Sequence, residues 1–154
     1  MFEKILVCLD GSELAEQILP YASEQAVRMK STLVLFYAVH DPTTISLNFP
    51  GNPGTPMETE SMRRHLLEHS AQAEKYLAAL AAKLQDKGIN TEYVVMPGRA
   101  GEAIVDYAAA NNVDLIALST HGRGGISRAF LGSVADFVLK NSGLPILLIR
   151  PQAK

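Results

Sequence analysis

The chain alternates short apolar runs with longer segments in which apolar residues recur at helical spacing. "KILVCLD" is almost wholly apolar, as a strand buried on both faces should be, and "TLVLFYAV" is predicted to be a second buried strand. "NTEYVVM", "VDLIALS" and "PILLIR" are predicted to be three further strands. Between them lie four helical segments: "GSELAEQILPYASEQAVRM", residues 58–87, "AGEAIVDYAAANN" and "GSVADFVLKNSG". This alternation predicts an α/β fold with an open, five-stranded, mainly parallel sheet and helices on both faces.

Individual residues indicate where these helices begin, bend and end. Ser12 is a candidate N-cap of the first helix, with the acidic Glu13 in its first turn. Pro20 falls inside the same pattern and lacks a backbone donor, so we expect a single helix that bends at this point. Gly88 and Gly143 follow the second and fourth helical segments and are predicted to end them.

Length and composition fit one compact domain spanning residues 1–154. Of the 154 residues, 47% are hydrophobic, which is enough for a real core and argues against disorder. Residues 41–56 are rich in proline and glycine, which predicts a long loop in place of a helix or strand. The sequence shows neither an internal repeat nor a domain boundary.

Charge and cysteine content argue against several classes of function. With 14 basic and 16 acidic residues the formal net charge is −2, so the basic surface of a nucleic-acid-binding protein is not expected. The N-terminal sequence has no apolar run long enough for a signal peptide or a membrane span. Cys8 is the single cysteine, so no disulfide can form within the chain, and a reduced, cytoplasmic setting is expected.

Two unusual segments follow strands whose ends would meet. Ligands of open α/β sheets bind beyond the carboxyl ends of the strands, where the winding direction reverses. If the strand order is 3-2-1-4-5, that point lies between the first and fourth strands. It would bring "LDGSE", after the first strand, beside the glycine-rich "STHGRGGISRAFLGSV", after the fourth.

The glycine-rich segment has the residues of a phosphate cradle. Glycine permits close approach of the backbone to a ligand, and a helix starting at Gly132 and Ser133 would offer amide N–H groups to a phosphate. Arg123 and Arg128 would add positive charge. The segment is neither a Walker loop nor a dinucleotide fingerprint, and a flexible connector with an ordinary serine N-cap explains its residues about equally well.

Other candidate residues each have a simpler structural explanation. Asp10 could hold a ribose or a metal ion, or it could form the turn in "LDGS". Cys8 lies mid-strand and is expected to be a buried small hydrophobe. His65 and His69 have the spacing of two metal ligands, but with no third ligand apparent they are expected to be an ordinary helix face. No partner residues support a catalytic role for His121.

The sequence resembles the universal stress proteins over essentially its whole length. ATP-binding members carry a G-x2-G-x9-G-[S/T] pattern after the fourth strand; here Gly122, Gly132 and Ser133 match it, and Ser119 replaces the first glycine. "ILVCLDGSELAE" and "GRAGEAIVDYA" are similar to other parts of the family. Ser119 would strain a turn that needs positive φ, but its pattern places it in the strand, so we expect serine to be tolerated.

The resemblance implies an adenine nucleotide alpha hydrolase-like fold with strand order 3-2-1-4-5 and an adenine nucleotide at the switch point. It implies that ATP binds with Mg²⁺ or Mn²⁺, and that the edge strand 145–150 pairs two copies into a homodimer. The residues implied to bind nucleotide are Cys8, Leu9, Asp10, Ala38, Val39, Ser119, His121, Gly122, Arg123, Gly132, Ser133 and Val134.

Three classes of function follow from these residues and the resemblance. The first is an ATP-binding regulatory dimer that acts in a stress response or changes its affinity for an unidentified partner protein with nucleotide state. The second is a docking module of the same fold that works without nucleotide. An enzyme is disfavoured because the sequence supplies no poised general base with a partner, although slow ATP hydrolysis stays open.

Overall fold

The computed structural model describes residues 1–41, 56–120 and 131–152. The strands are β1 (Lys4–Leu9), β2 (Thr32–Val39), β3 (Thr91–Pro97), β4 (Leu115–Ser119) and β5 (Ile146–Ile149). The helices are α1 (Glu13–Glu16), α2 (Leu19–Met29), α3 (Pro56–Gln85), α4 (Ala100–Ala110) and α5 (Ser133–Asn141). The five predicted strands are all present, and residues 42–55, most of the predicted loop, lie outside the described residues.

The strands form one sheet in the order β3-β2-β1-β4-β5, as expected. Every neighbouring pair is parallel. The carboxyl ends of all five strands therefore lie at the same edge of the sheet. The winding direction reverses between β1 and β4, which places the predicted switch point at the centre of that edge.

Helices cover both faces of the sheet, and β1 is buried between them. Along β1 the side chains alternate, so that Val7 joins the core with Leu77 of α3, whereas Leu6 joins the core with Ile104 of α4 and Val138 of α5. Because both faces are packed, successive residues of a central strand must all be apolar. This is the physical reason for the uninterrupted apolar run that predicted the strand.

The first helical segment is two helices, so the prediction of one bent helix is wrong. α1 ends at Glu16, and α2 begins at Leu19 with Pro20 in its first turn. Proline is well suited there, because the first amide groups of a helix have no intrahelical acceptor. Ser12 caps α1 as predicted: its hydroxyl accepts a hydrogen bond from the Ala15 amide at 3.1 Å.

Two glycines end helical segments with a left-handed backbone, as predicted. Gly88 follows α3 with φ of +80°, and Gly143 follows α5 with φ of +63°. α3 itself begins and ends two residues earlier than residues 58–87. Its C-terminal half packs on the sheet through Ala73, Leu77 and other buried residues. Among the helices that the structure describes, none is long and apolar enough to cross a membrane.

Candidate functional site

A crevice opens between the carboxyl ends of β1 and β4. The pairing of these two strands ends at Val7 and Ala117, although each strand continues for two more residues. On the other side of β1 the pairing with β2 continues to Leu9 and Tyr37. The ends of β1 and β4 therefore part at the switch point, where the fold predicts a ligand.

The loop after β1 is held by a compact turn at Asp10. One carboxylate oxygen, Oδ1, accepts hydrogen bonds from the Ser12 amide at 2.9 Å and from the Ser12 hydroxyl at 2.6 Å. Because Ser12 also caps α1, the same residues shape the turn and start the helix. The interpretation of Asp10 as a turn former is thus confirmed, and the turn fixes its carboxylate at the edge of the crevice.

Thr120 and Gly132, on either side of residues 121–131, are held together by their backbones, and we call this contact the neck. The Gly132 amide donates to the Thr120 carbonyl at 2.9 Å, and the Thr120 amide donates to the Ile149 carbonyl at 2.9 Å. An ideal Cβ built on Gly132 would lie 2.2 Å from the Thr120 carbonyl oxygen. Only glycine fits this approach of two backbone segments.

Helix α5 begins at the neck and has a glycine cap. Its N-cap is Gly132, with φ of −53°, ψ of 152° and no side-chain capping bond, so the ordinary serine cap considered above is wrong. Ser133 is the first helical residue and is exposed. The amides of Ser133 and Val134 belong to the first turn, where N–H groups lack intrahelical acceptors and the helix dipole favours an anion.

Ser119 is a strand residue, in agreement with its sequence pattern. It ends β4 and pairs with Ile149 of β5. In the described parts of the chain, the non-glycine residues with positive φ are Lys30 and Asn112. Serine in place of the first glycine of the family pattern therefore imposes no left-handed backbone strain. His121, Gly122 and Arg123 lie outside the described residues.

The end of β2 borders the crevice on the β1 side. Ala38 and Val39 extend past the last pair of β1 and β2, Leu9 with Tyr37. The Val39 carbonyl accepts a hydrogen bond from the Gly98 amide at 2.9 Å. A second bond to this carbonyl would have to use its other lone pair.

Cys8 and Leu9 are core residues at the floor of the crevice. They are 9% and 5% exposed. Burial raises the pKa of the Cys8 thiol, so it stays protonated and is not poised as a nucleophile. The expectation of a small buried hydrophobe is confirmed. With both side chains this deeply buried, contact with a bound molecule would fall largely to the main chain.

The histidine pair lies on the exposed surface of α3. The ring centroids of His65 and His69 are 4.0 Å apart, and both side chains are exposed. Over residues 1–41, 56–120 and 131–152, no group of three or more His, Cys, Asp or Glu side chains is placed to hold a metal ion.

Three residues beside the crevice were not predicted from the sequence. Thr120 binds Gly132 and Ile149 through its backbone, and backbone hydrogen bonds leave no signature in a side-chain pattern. Tyr76 of α3 donates a hydrogen bond to Glu16 Oε1 of α1 at 2.8 Å, across 60 positions of sequence. A contact between residues so far apart has no local signal.

The parallel doubly wound sheet, with its crevice at the central switch point, defines an α/β protein of the adenine nucleotide alpha hydrolase-like class. The sequence matches the universal stress protein family over residues 1–150, and the chain belongs to that family. Universal stress protein Sll1388 of Synechocystis is 30% identical over 152 residues, which cover 97% of this chain and 98% of that protein.

Solved structures of the same fold include two with a bound nucleotide. MJ0577 of Methanocaldococcus jannaschii gives a TM-score of 0.83 at 23% identity, covering 100% of this chain and 99% of that one. A universal stress protein in complex with cAMP gives a TM-score of 0.63 at 19% identity, covering 98% of each chain. A universal stress protein family protein from Arabidopsis thaliana with AMP bound gives a TM-score of 0.63 at 15% identity, covering 97% of this chain and 92% of that one. At these identities the likeness shows the fold.

Proposed function

We propose that this chain is a cytoplasmic, ATP-binding regulatory protein whose nucleotide state changes its affinity for a partner protein. The observation that carries the proposal is the meeting, at one crevice, of the Asp10 turn, the glycine neck and the N-terminus of α5. The relatives bound to AMP and cAMP support adenine nucleotides as the class of ligand.

The phosphates are assigned to the start of α5. The amides of Ser133 and Val134 would donate to phosphate oxygens, helped by the partial positive charge of the helix N-terminus. Gly132 lets the chain turn into the helix close to the ligand. Gly122 and Arg123, together with His121, would surround the phosphates as the family pattern implies.

The adenosine is assigned to the ends of β1 and β2. Asp10 would accept hydrogen bonds from ribose hydroxyls, and the backbone of Ala38 and Val39 would bind the adenine edge. The main chain of Cys8 and Leu9 would form the floor. A Mg²⁺ or Mn²⁺ ion bound to the triphosphate commonly takes one or two protein carboxylates, and Asp10 offers one at this crevice.

A charge placed at the start of α5 tests the phosphate assignment. We expect Ser133→Glu to weaken Mg-ATP binding at least tenfold, because the carboxylate would repel the phosphates. Its folding stability should stay equal or rise slightly, since an acidic side chain in the first turn of a helix is favourable. Isothermal titration calorimetry with Mg-ATP measures the affinity, and thermal unfolding measures the stability.

Ser133→Gln is the matched control, because it has the same size without the charge. It should bind Mg-ATP far better than Ser133→Glu, and both variants should bind adenosine alike. Equal ATP affinity of the two variants would show that the phosphates do not bind at the start of α5. If the unmodified protein binds neither ATP nor AMP, the ATP proposal fails and the docking-module function takes its place.

We also propose that β5 pairs two copies of the chain into a homodimer. β5 is an edge strand with four apolar residues, each half-buried. The Pro145 carbonyl accepts a hydrogen bond from the amide of Ile116 in β4, and the Ile149 carbonyl accepts one from the amide of Thr120, which follows β4. Because backbone groups of successive strand residues point in opposite directions, those of Leu148 point outward, where an exposed apolar edge favours pairing.

Leu148→Pro is expected to convert the dimer to a monomer, because proline removes the outward amide donor. Leu148→Val keeps that donor and should remain dimeric. Sedimentation velocity measures the assembly, with circular dichroism to compare the folds. A dimer that persists in Leu148→Pro would show that the copies associate through another surface.

A further inference from the structure

Helix α1 is too short to hold its own position. It has four residues, of which Ala15 is the buried one. Isolated helices of this length are unstable in water, so tertiary contacts must fix α1. The position of α1 affects the crevice because Ser12, the N-cap of α1, is hydrogen-bonded to Asp10.

One of these contacts joins α1 to the long helix α3. The Tyr76 hydroxyl donates to Glu16 Oε1 at 2.8 Å. Glu16 is the last residue of α1, so this bond and the Ser12 cap hold opposite ends of the same short helix. A bond to a charged acceptor is roughly twice as strong as one between neutral groups.

Tyr76 also contacts the strand that borders the crevice. Its ring packs edge-on against Tyr37, with the ring centroids 6.2 Å apart and the planes at 76°. Tyr37 is paired with Leu9, the last residue of β1 before Asp10. Tyr76 therefore touches both α1 and the end of β2, on either side of the Asp10 turn.

The electrostatic surroundings keep the Tyr76 hydroxyl protonated. Burial raises its pKa, the hydrogen bond to Glu16 raises it further, and the charges of Glu16 and Asp10 act in the same direction. The hydroxyl is thus a permanent donor to the Glu16 carboxylate at neutral pH.

We propose that Glu16 and Tyr76 are positioning residues of the nucleotide site, and that their hydrogen bond fixes α1 so that the Asp10 carboxylate is held at the crevice. This inference rests on the proposed nucleotide binding. It also assigns α3 a part in that binding: nucleotide that is held by a fixed Asp10 stabilises the contact between α1 and α3, and the contact in turn favours nucleotide.

Removing the bond is expected to weaken Mg-ATP binding by roughly 5- to 20-fold, within the range of coupling between linked sites. Tyr76→Phe deletes the hydroxyl and keeps the ring against Tyr37. Glu16→Ala deletes the acceptor, whereas Glu16→Gln removes the same charge and keeps an acceptor oxygen. The comparison of Glu16→Ala with Glu16→Gln separates the bond from the charge.

The experiment is a double-mutant cycle on Mg-ATP affinity, measured by calorimetry at a temperature where every variant is folded. Tyr76→Phe and Glu16→Ala should each bind more weakly, and the double variant should bind no more weakly than either, because all three lack the same bond. Tyr107→Phe makes the same chemical change on α4, on the opposite face of the sheet, and should bind as the unmodified protein does.

A purely structural role would lower the unfolding temperature of these variants without changing the affinity of the folded protein. Unchanged affinity in Tyr76→Phe, or equal affinity in Glu16→Ala and Glu16→Gln, would overturn the positioning role while leaving the nucleotide site in place. Absence of ATP binding by the unmodified protein would overturn the nucleotide function itself, and the positioning role with it.

Discussion

Gly132→Ala is expected to lower the free energy of unfolding by about 2–4 kcal/mol and to abolish measurable ATP binding. The added Cβ would lie 2.2 Å from the Thr120 carbonyl oxygen, which is backbone and cannot rotate away. The neck must therefore open, and the hydrogen bond from the Gly132 amide to that carbonyl is lost with it. Urea unfolding and calorimetry on one preparation measure both effects.

Ser133→Ala is the neighbouring control for stability. Ser133 is exposed and is not the N-cap residue, so its truncation should change the free energy of unfolding by less than about 0.5 kcal/mol. A Gly132→Ala variant as stable as Ser133→Ala would mean that the two backbone segments separate without cost. The close approach at the neck would then not be the reason for glycine at position 132.

Leu77→Ala is expected to lower the free energy of unfolding by about 2–5 kcal/mol, the range for buried leucines. Leu77 is 0% exposed and lies in the core shared by α1, α2, α3 and the sheet. Its truncation removes apolar contacts and leaves a cavity between α3 and the strands. Urea denaturation, followed by circular dichroism, gives the difference.

Leu67→Ala makes the same change on the same helix and serves as the matched control. Leu67 is 61% exposed, so its loss should cost less than about 0.5 kcal/mol. Because helix propensity changes equally in the two variants, the difference between them measures burial alone. Similar losses in both would show that the N-terminal half of α3 packs against something in solution.

The central strands β1 and β2 were predictable because their sequences are almost entirely apolar. A central parallel strand is covered on both faces, so it needs an unbroken apolar run, and β1 has one from Ile5 to Leu9. The break between α1 and α2 was not predictable from periodicity. Ile18 lies between the two helices and Ala22 lies in α2, and both are buried. The helical spacing of apolar residues therefore continues across the break and gives no sign of it. The order of the strands came from the resemblance to the family.

The site was predictable only where its geometry is local. The Asp10 turn involves a residue two positions away and was open to prediction from "LDGS". The need for glycine at position 132 arises from Thr120, and the support of α1 arises from Tyr76, so both depend on how distant segments pack. The assignment of individual residues to ATP stays a prediction.

The bond between Tyr76 and Glu16 also gives the protein an internal optical reporter. The chain has five tyrosines and no tryptophan, so tyrosine emission is not masked by energy transfer to an indole. A tyrosine hydroxyl bonded to a carboxylate emits weakly, and breaking that bond brightens it. The difference between the spectra of the unmodified protein and Tyr76→Phe would report on Tyr76 together with the adjacent Tyr37, and the junction of α1 and α3 could then be followed in real time without a label.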